Sequence, residues 1–322
     1  MDVVENQVVA RPSAAQQPSF WTEFQDYYAR VPDKWLFVTL LGGWAVLFQF
    51  VGISSFNFGT TEPSLFEWLY NAWNTVALDC SQGNLIPFVV LALFWVKRQE
   101  LASSISGVWW PGLTLVGLSL LVHVAGFLAQ QPRLSMIALF AGIWGIIGLV
   151  WGRRTLRASF FPMVLFAFCM PLGTFAQPVT LPLRMLAATF TRTICHGVLG
   201  IDVVQQGTSL LDPHDVKFNY DVAVQCSGIR SFVALLAVAT VFAMLCLKSP
   251  WKRLLMMVST VPLVVFCNVL RLVVVILITQ AYSRKEGMWV HEWFGFVTYM
   301  IAIGSLLAIA HWVREKPLPA NP

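Results

Sequence analysis

A thiol, a guanidinium and an imidazole stand at the edges of three successive apolar runs. Cys226 opens one in Cys226-Ser227-Gly228-Ile229-Arg230-Ser231, Arg271 interrupts PLVVFCNVLRLVVVILIT, and His291 opens the last in His291-Glu292-Trp293-Phe294-Gly295. Lipid penalises ionisable groups, so one inside a spanning segment is a functional hypothesis by default. A cysteine attacks as its thiolate, a form favoured by a helix amino terminus and a nearby cation. Cys226 is expected to have both, because Arg230 lies one helical turn on, on the same face. Gly228 would let a substrate backbone come close, and Ser227 extends the polar run. Arg271 keeps its charge and is suited to hold an oxyanion, with Asn268 three residues back as a brace. His291 is placed to take the thiol proton and return it to a leaving amine.

Each residue also has a bland reading. Cys226 is one more small residue in a span, Arg271 snorkels to lipid phosphates, and His291 belongs to an aromatic belt with Trp289 and Trp293. The polar run around Cys226 and the two arginines favour the chemical reading. His123, His196, His214 and His311 are scattered, and no pair has metal-ligand spacing, so no metal and no cofactor are expected. The six cysteines, at 80, 169, 195, 226, 246 and 267, form no CxxC pair and no disulfide framework; Cys246 and Cys267 read as inert core residues.

The elements that must carry these groups are transmembrane. Of 322 residues 57% are apolar and 11% charged, against about 25% charged in a soluble domain. The basic residues are scattered between apolar runs, so the net charge of +5 marks loops, not a nucleic-acid surface. Eight segments are long enough to cross the bilayer or nearly so: 34–54, 83–96, 107–129, 134–151, 158–176, 225–247, 253–279 and 289–312. Segment 178–200 carries Arg184 and Arg192 and is either a ninth span or a helix lying in the interface; the second is favoured, because a ninth span would move Lys97–Arg98 or Lys248–Arg253 outside. With the amino terminus inside, thirteen Lys and Arg fall on cytoplasmic segments and six outside, the other two being Arg230 and Arg271. This topology brings Cys226, Arg271 and His291 to one membrane level, away from the cytoplasm. Residues 202–225 predict a small extracytoplasmic hairpin that turns at Asp212-Pro213-His214-Asp215. The fold expected is thus an all-α integral membrane protein. A cytoplasmic polar tail covers 1–33, a polytopic domain 34–312 carries the site at 226–295, and a short cytoplasmic tail covers 313–322.

The chain resembles the exosortase/archaeosortase family of multi-spanning cysteine transpeptidases. The resemblance rests on Cys226 to Ser231, on Asn268-x-x-Arg271 and on His291-x-x-x-Gly295, in that order. Weaker similarity covers Asp79 to Pro87, where Cys80 and Gln82 replace the usual Tyr and His, and Phe168-Cys169-Met170-Pro171; altogether it spans roughly residues 65 to 310. The resemblance implies an inner-membrane enzyme whose active site faces the exterior. It implies, as partners, exported proteins with a carboxyl-terminal signal: a short motif (Pro-Glu-Pro in the exosortase branch), a hydrophobic helix and a basic cluster. By residue match Cys226 would be the nucleophile, Arg271 the transition-state stabiliser and His291 the base, a histidine there being the bacterial pattern. Arg230 and Asn268 fall on motif positions as supporting residues. The competing reading is a membrane transporter with Arg271 in an anion path, against which no inverted repeat is visible.

Overall fold

The computed structural model describes residues 19–54, 63–75, 80–171, 177–213, 219–221 and 228–313. Each of the eight expected apolar segments contains helix, but helix lengths follow local breakers more than hydropathy. Among the described residues three helices are long and apolar enough to span a membrane alone: α7 (Pro132–Trp151), α12 (Pro250–Ala281) and α13 (Arg284–Val313). In chain order, α1 (Phe20–Arg30) meets α2 (Lys34–Phe50) at a 94° bend, and the pair together passes the same test. The bend lies at Pro32-Asp33, where Asp33 takes a left-handed φ of 49°. Shorter apolar helices are α4 (Ile86–Val96) and α6 (Gly112–Leu128). The expected span at 158–176 is short helix α9 (Phe160–Val164) followed by a 3-10 turn over Leu165–Cys169. Helix α3 (Leu65–Asn74), with α5 (Arg98–Ser104) and α8 (Arg153–Ala158), completes the first half.

The amino-terminal segment expected as a polar tail therefore contains a helix. Its Phe20 and Phe24 pack on Trp95, and Glu23 pairs with Arg98. The centre of the first half is α7, where Gly142 and Gly145 admit neighbours that a methyl would exclude. An added Cβ at Gly142 would sit 2.0 Å from Trp44, whose Nε1 donates to the Leu139 carbonyl at 3.0 Å. Small residues of this kind let membrane helices approach by van der Waals contact, since lipid offers no hydrophobic drive.

The second half holds the site. Helix α10 (Gln177–Gly197) leads to strands β1 (Val204–Gln206), β2 (Ser209–Leu211) and β3 (Asn219–Asp221). They form an antiparallel meander in the order β1-β2-β3, with Gln206 opposite Ser209 and Ser209 opposite Asp221. The predicted two-stranded hairpin gives way to three strands because Gly207, at φ 62°, starts a tight two-residue turn; part of the expected turn, 214–218, lies outside the described residues. Leu210 and Val203 bury themselves against Ala188 and Cys195 of α10 and Leu272, Val275 and Ile276 of α12. Thus α10 packs along α12, and it is not among the helices long and apolar enough to span a membrane alone. Its buried Ala187 and Ala188 permit the close approach.

Helix α11 (Gly228–Cys246) then packs with α12 and α13 around Leu235, Ala239, Met256, Val264, Ala302 and Leu306. The outer surfaces of these helices are apolar: Leu254, Phe266, Phe296 and Met300 are exposed, as a lipid-facing wall requires. Exposed Trp289 and Trp312 are 23 residues apart on α13, roughly 35 Å, which matches two interfacial belts around about 30 Å of hydrocarbon.

Candidate active site

Helices α12 and α13 form an antiparallel pair joined at Tyr282-Ser283. Arg271 lies ten residues before the end of α12 and His291 seven after the start of α13. At about 1.5 Å per residue the two reach nearly the same level. The side chains meet there. Arg271 donates from Nε and Nη2 to the His291 carbonyl, at 3.2 and 2.8 Å, and Nη2 lies 3.3 Å from His291 Nδ1. Arginine has only donors, so in this contact Nδ1 is the acceptor and the ring proton is on Nε2. The imidazole is buried, 7% exposed. His291 does not open its helix as expected: α13 begins at Arg284, two turns earlier. Hydropathy registers only the lipid-facing stretch, whereas the helix continues through Arg284, Lys285 and Glu286 into the polar region, where Ser283 hydrogen-bonds Glu286.

Gly295 explains the spacing of the last motif. It sits one turn after His291, on the same face. A Cβ there would fall 2.9 Å from Arg271 Nη2 and 3.0 Å from its Cζ. The glycine is the space through which the guanidinium reaches the His291 carbonyl. We expect Gly295→Ala to leave folding nearly intact, because a flexible side-chain end can move aside, yet to displace the guanidinium. A loss of roughly 10²-fold in processing rate is the expected scale for a shift of about an ångström. Thermal unfolding in detergent should change little, and a normal processing rate would contradict this role for the glycine.

A small cleft opens beside the pair. Ser231 and Leu235 of α11, Val264, Cys267, Asn268 and Arg271 of α12, and Thr298, Tyr299 and Ala302 of α13 line it. Asn268 is half-buried on this wall beside Arg271. Cys226 and Ser227 lie outside the described residues. Gly228 is the first residue of α11, and the side chain of Arg230 is likewise outside the description. Ser231, Thr298 and Tyr299 were not singled out in the sequence. The signal was present as a stripe on α13: His291, Gly295, Thr298 and Ala302 repeat at intervals of four, three and four.

The other cysteines have separate places. Cys80 donates to the Ala72 carbonyl at 3.2 Å, and Cys169 to Gly83 at 3.8 Å. The weaker similarity segments at 80–87 and 168–171 thus pack on each other, where Trp73 also donates to the Cys169 carbonyl at 2.8 Å. Cys246 is exposed at the end of α11 rather than in the core, while Cys267 is buried. Among the described residues no disulfide is present, and Cys195 is buried.

The family model for transmembrane exosortase (Exosortase_EpsH) matches residues 73–308, which takes in all three downstream motifs. The chain belongs to the exosortase family. This family is integral to the membrane, and the assignment makes the chain a multi-pass membrane protein of an enzyme family acting on sorting signals of exported proteins. No curated protein and no solved structure matches the chain. Within the exosortase match, Arg271, His291 and Gly295 make one contiguous unit, and α11 brings Ser231 of the cysteine motif to the same cleft.

Proposed function

We propose that this exosortase is a membrane cysteine peptidase or transpeptidase that cuts the carboxyl-terminal signal of exported proteins through a thioester. The observation that carries the proposal is the clasp of Arg271 on His291 beside a cleft bounded by α11, the helix that Cys226 precedes by two residues. Eight crossings, with the site on the side away from the cytoplasm, agree with the excess of Lys and Arg on the other side.

In this mechanism the Cys226 thiolate attacks the scissile carbonyl carbon. The electron pair of the C=O moves to oxygen, and Arg271 holds that oxyanion. Donors of this kind contribute about 2.7–4 kcal/mol each. His291 must first accept the thiol proton, and Nδ1 is its available acceptor once Arg271 releases it. The 3.3 Å Nη2···Nδ1 contact is the longest of the three, so a guanidinium drawn toward the oxyanion gives it up first. The C–N bond then breaks, the amine leaves with the proton from His291, and a thioester remains. Water or an acceptor amine attacks the thioester, restoring the thiolate and releasing a new carboxylate or amide. Arg230, Ser227 and Gly228 support the nucleophile.

A direct test co-expresses an exported reporter that ends in Pro-Glu-Pro, a hydrophobic helix and a basic cluster. Mass spectrometry should find the reporter without its helix and basic cluster only when the enzyme is present. An intact tail in cells containing full-length inserted enzyme would overturn the proposal. A membrane-impermeant maleimide supplies a second test: it should label Cys226 far faster than Cys195, and equal rates would count against Cys226 as the activated thiol.

A further inference from the structure

Helix α1 lies outside the matched residues 73–308, and none of its residues is buried. Five of its eleven residues are aromatic. At about 100° per residue, the exposed Phe20, Trp21, Phe24 and Tyr28 share one side of the helix. Glu23, Asp26 and Arg30 share another, where they line a polar groove with Arg98, Gln99 and Ser103 of α5. Glu23 pairs with Arg98, which lies over the Trp95 ring at 4.4 Å. The polar side therefore faces protein. The aromatic side meets Trp95 along one edge and otherwise stays exposed, Trp21 by 67%.

The path of the chain shows what covers that side. Helix α2 has 17 residues, about 26 Å, which meets the lower bound for a crossing without any part of α1. The 94° bend then turns α1 from the direction of a span into the plane of the membrane. Two contacts hold the bend. Trp151 Nε1 donates to the Pro32 carbonyl at 2.9 Å. Lys34 Nζ donates to the Tyr28 carbonyl at 3.2 Å and lies 4.3 Å above the Tyr28 ring. Exposed Trp35 continues the aromatic surface onto the first turn of α2. Trp and Tyr collect where headgroups meet hydrocarbon, because their rings are apolar at one end and polar at the other. We infer that α1 is an in-plane anchor whose Phe20, Trp21, Phe24 and Tyr28 side inserts at the headgroup boundary of one leaflet, the cytoplasmic one in the topology proposed above. Its partner is the lipid surface itself. Glu23 and Asp26 leave the polar side without a net positive charge, so the attachment is apolar and does not need anionic lipid. Arg98 and Trp151 tie the anchor to α5 and α7, so it sets the depth at which the first half sits. The inference needs the membrane fold alone and none of the peptidase chemistry.

The test places the photoreactive residue p-benzoylphenylalanine at position Trp21 or, on the opposite side, at position Asp26. The full-length enzyme is reconstituted into phosphatidylcholine vesicles and illuminated. Intact mass should show the gain of one phospholipid at Trp21 and none at Asp26. Phosphatidylglycerol added to the vesicles should leave the yield at Trp21 unchanged. Tyr28 is a second position on the same side should the Trp21 form fail to accumulate. Lipid adducts of equal yield from both sides would make α1 part of a broken span and overturn the inference. So would the absence of a lipid adduct at both Trp21 and Tyr28, or a crosslink there to a second copy of the chain in place of lipid. An adduct at Trp21 that forms only with phosphatidylglycerol would assign the contact to headgroup charge and overturn it as well.

Discussion

Cys226→Ala should be inserted in the membrane at normal levels and fail to process any signal-bearing substrate. Without the sulfur there is no thioester path, and the remaining donors cannot form a covalent intermediate. Removal of a nucleophile from a well-formed site elsewhere costs about 10⁶-fold in kcat, so processing should fall below detection. The reporter should accumulate uncut, and thermal unfolding should be unchanged. A single sulfur-to-hydrogen exchange two residues ahead of α11 in the sequence does not open the core clusters, which are built from Leu235, Ala239, Met256 and Leu306. Processing by Cys226→Ala at even a hundredth of the normal rate would remove the nucleophile assignment.

Arg271→Lys is the second large effect. The guanidinium uses two nitrogens to clasp one carbonyl, at 3.2 and 2.8 Å, and so holds its plane in one orientation. An ammonium is a point donor on a flexible stem and reproduces the charge without the fork. The expected loss is about 10²–10³-fold in kcat, the scale of one oxyanion donor, with KM nearly unaltered. The His291 carbonyl lies within a helix and keeps the partner that helix geometry provides, so the substitution should leave folding intact. A lysine variant that works at nearly the native rate would mean that Arg271 supplies field alone, or has a structural task.

The pairing of Arg271 with His291 was legible in the sequence because helical rise is regular. Two spans joined by a short turn, with polar residues at similar distances from it, must bring those residues to one level. Gly295 was legible as part of a motif, but its purpose was not, because a guanidinium crossing from another helix leaves no trace in one helix's spacing. Arg184 was read as one of two charges among the apolar residues of segment 178–200. Its burial depends on α10 lying along α12, a tertiary contact that periodicity cannot register. The helix ends diverged for a related reason. Hydropathy reports where lipid touches the chain, whereas hydrogen-bonded helix extends beyond it through Arg284 to Gly287. The third strand was hidden by Gly207, a turn residue inside a run that otherwise alternates.

The most direct measurement is the intact mass of the purified enzyme after brief mixing with the reporter, followed by peptide mapping. The account predicts a transient adduct on Cys226, equal in mass to the reporter truncated at the cut, and released by hydroxylamine as a thioester must be. A reporter that is cut while Cys226 stays unmodified, or an adduct that maps to another cysteine, would contradict it.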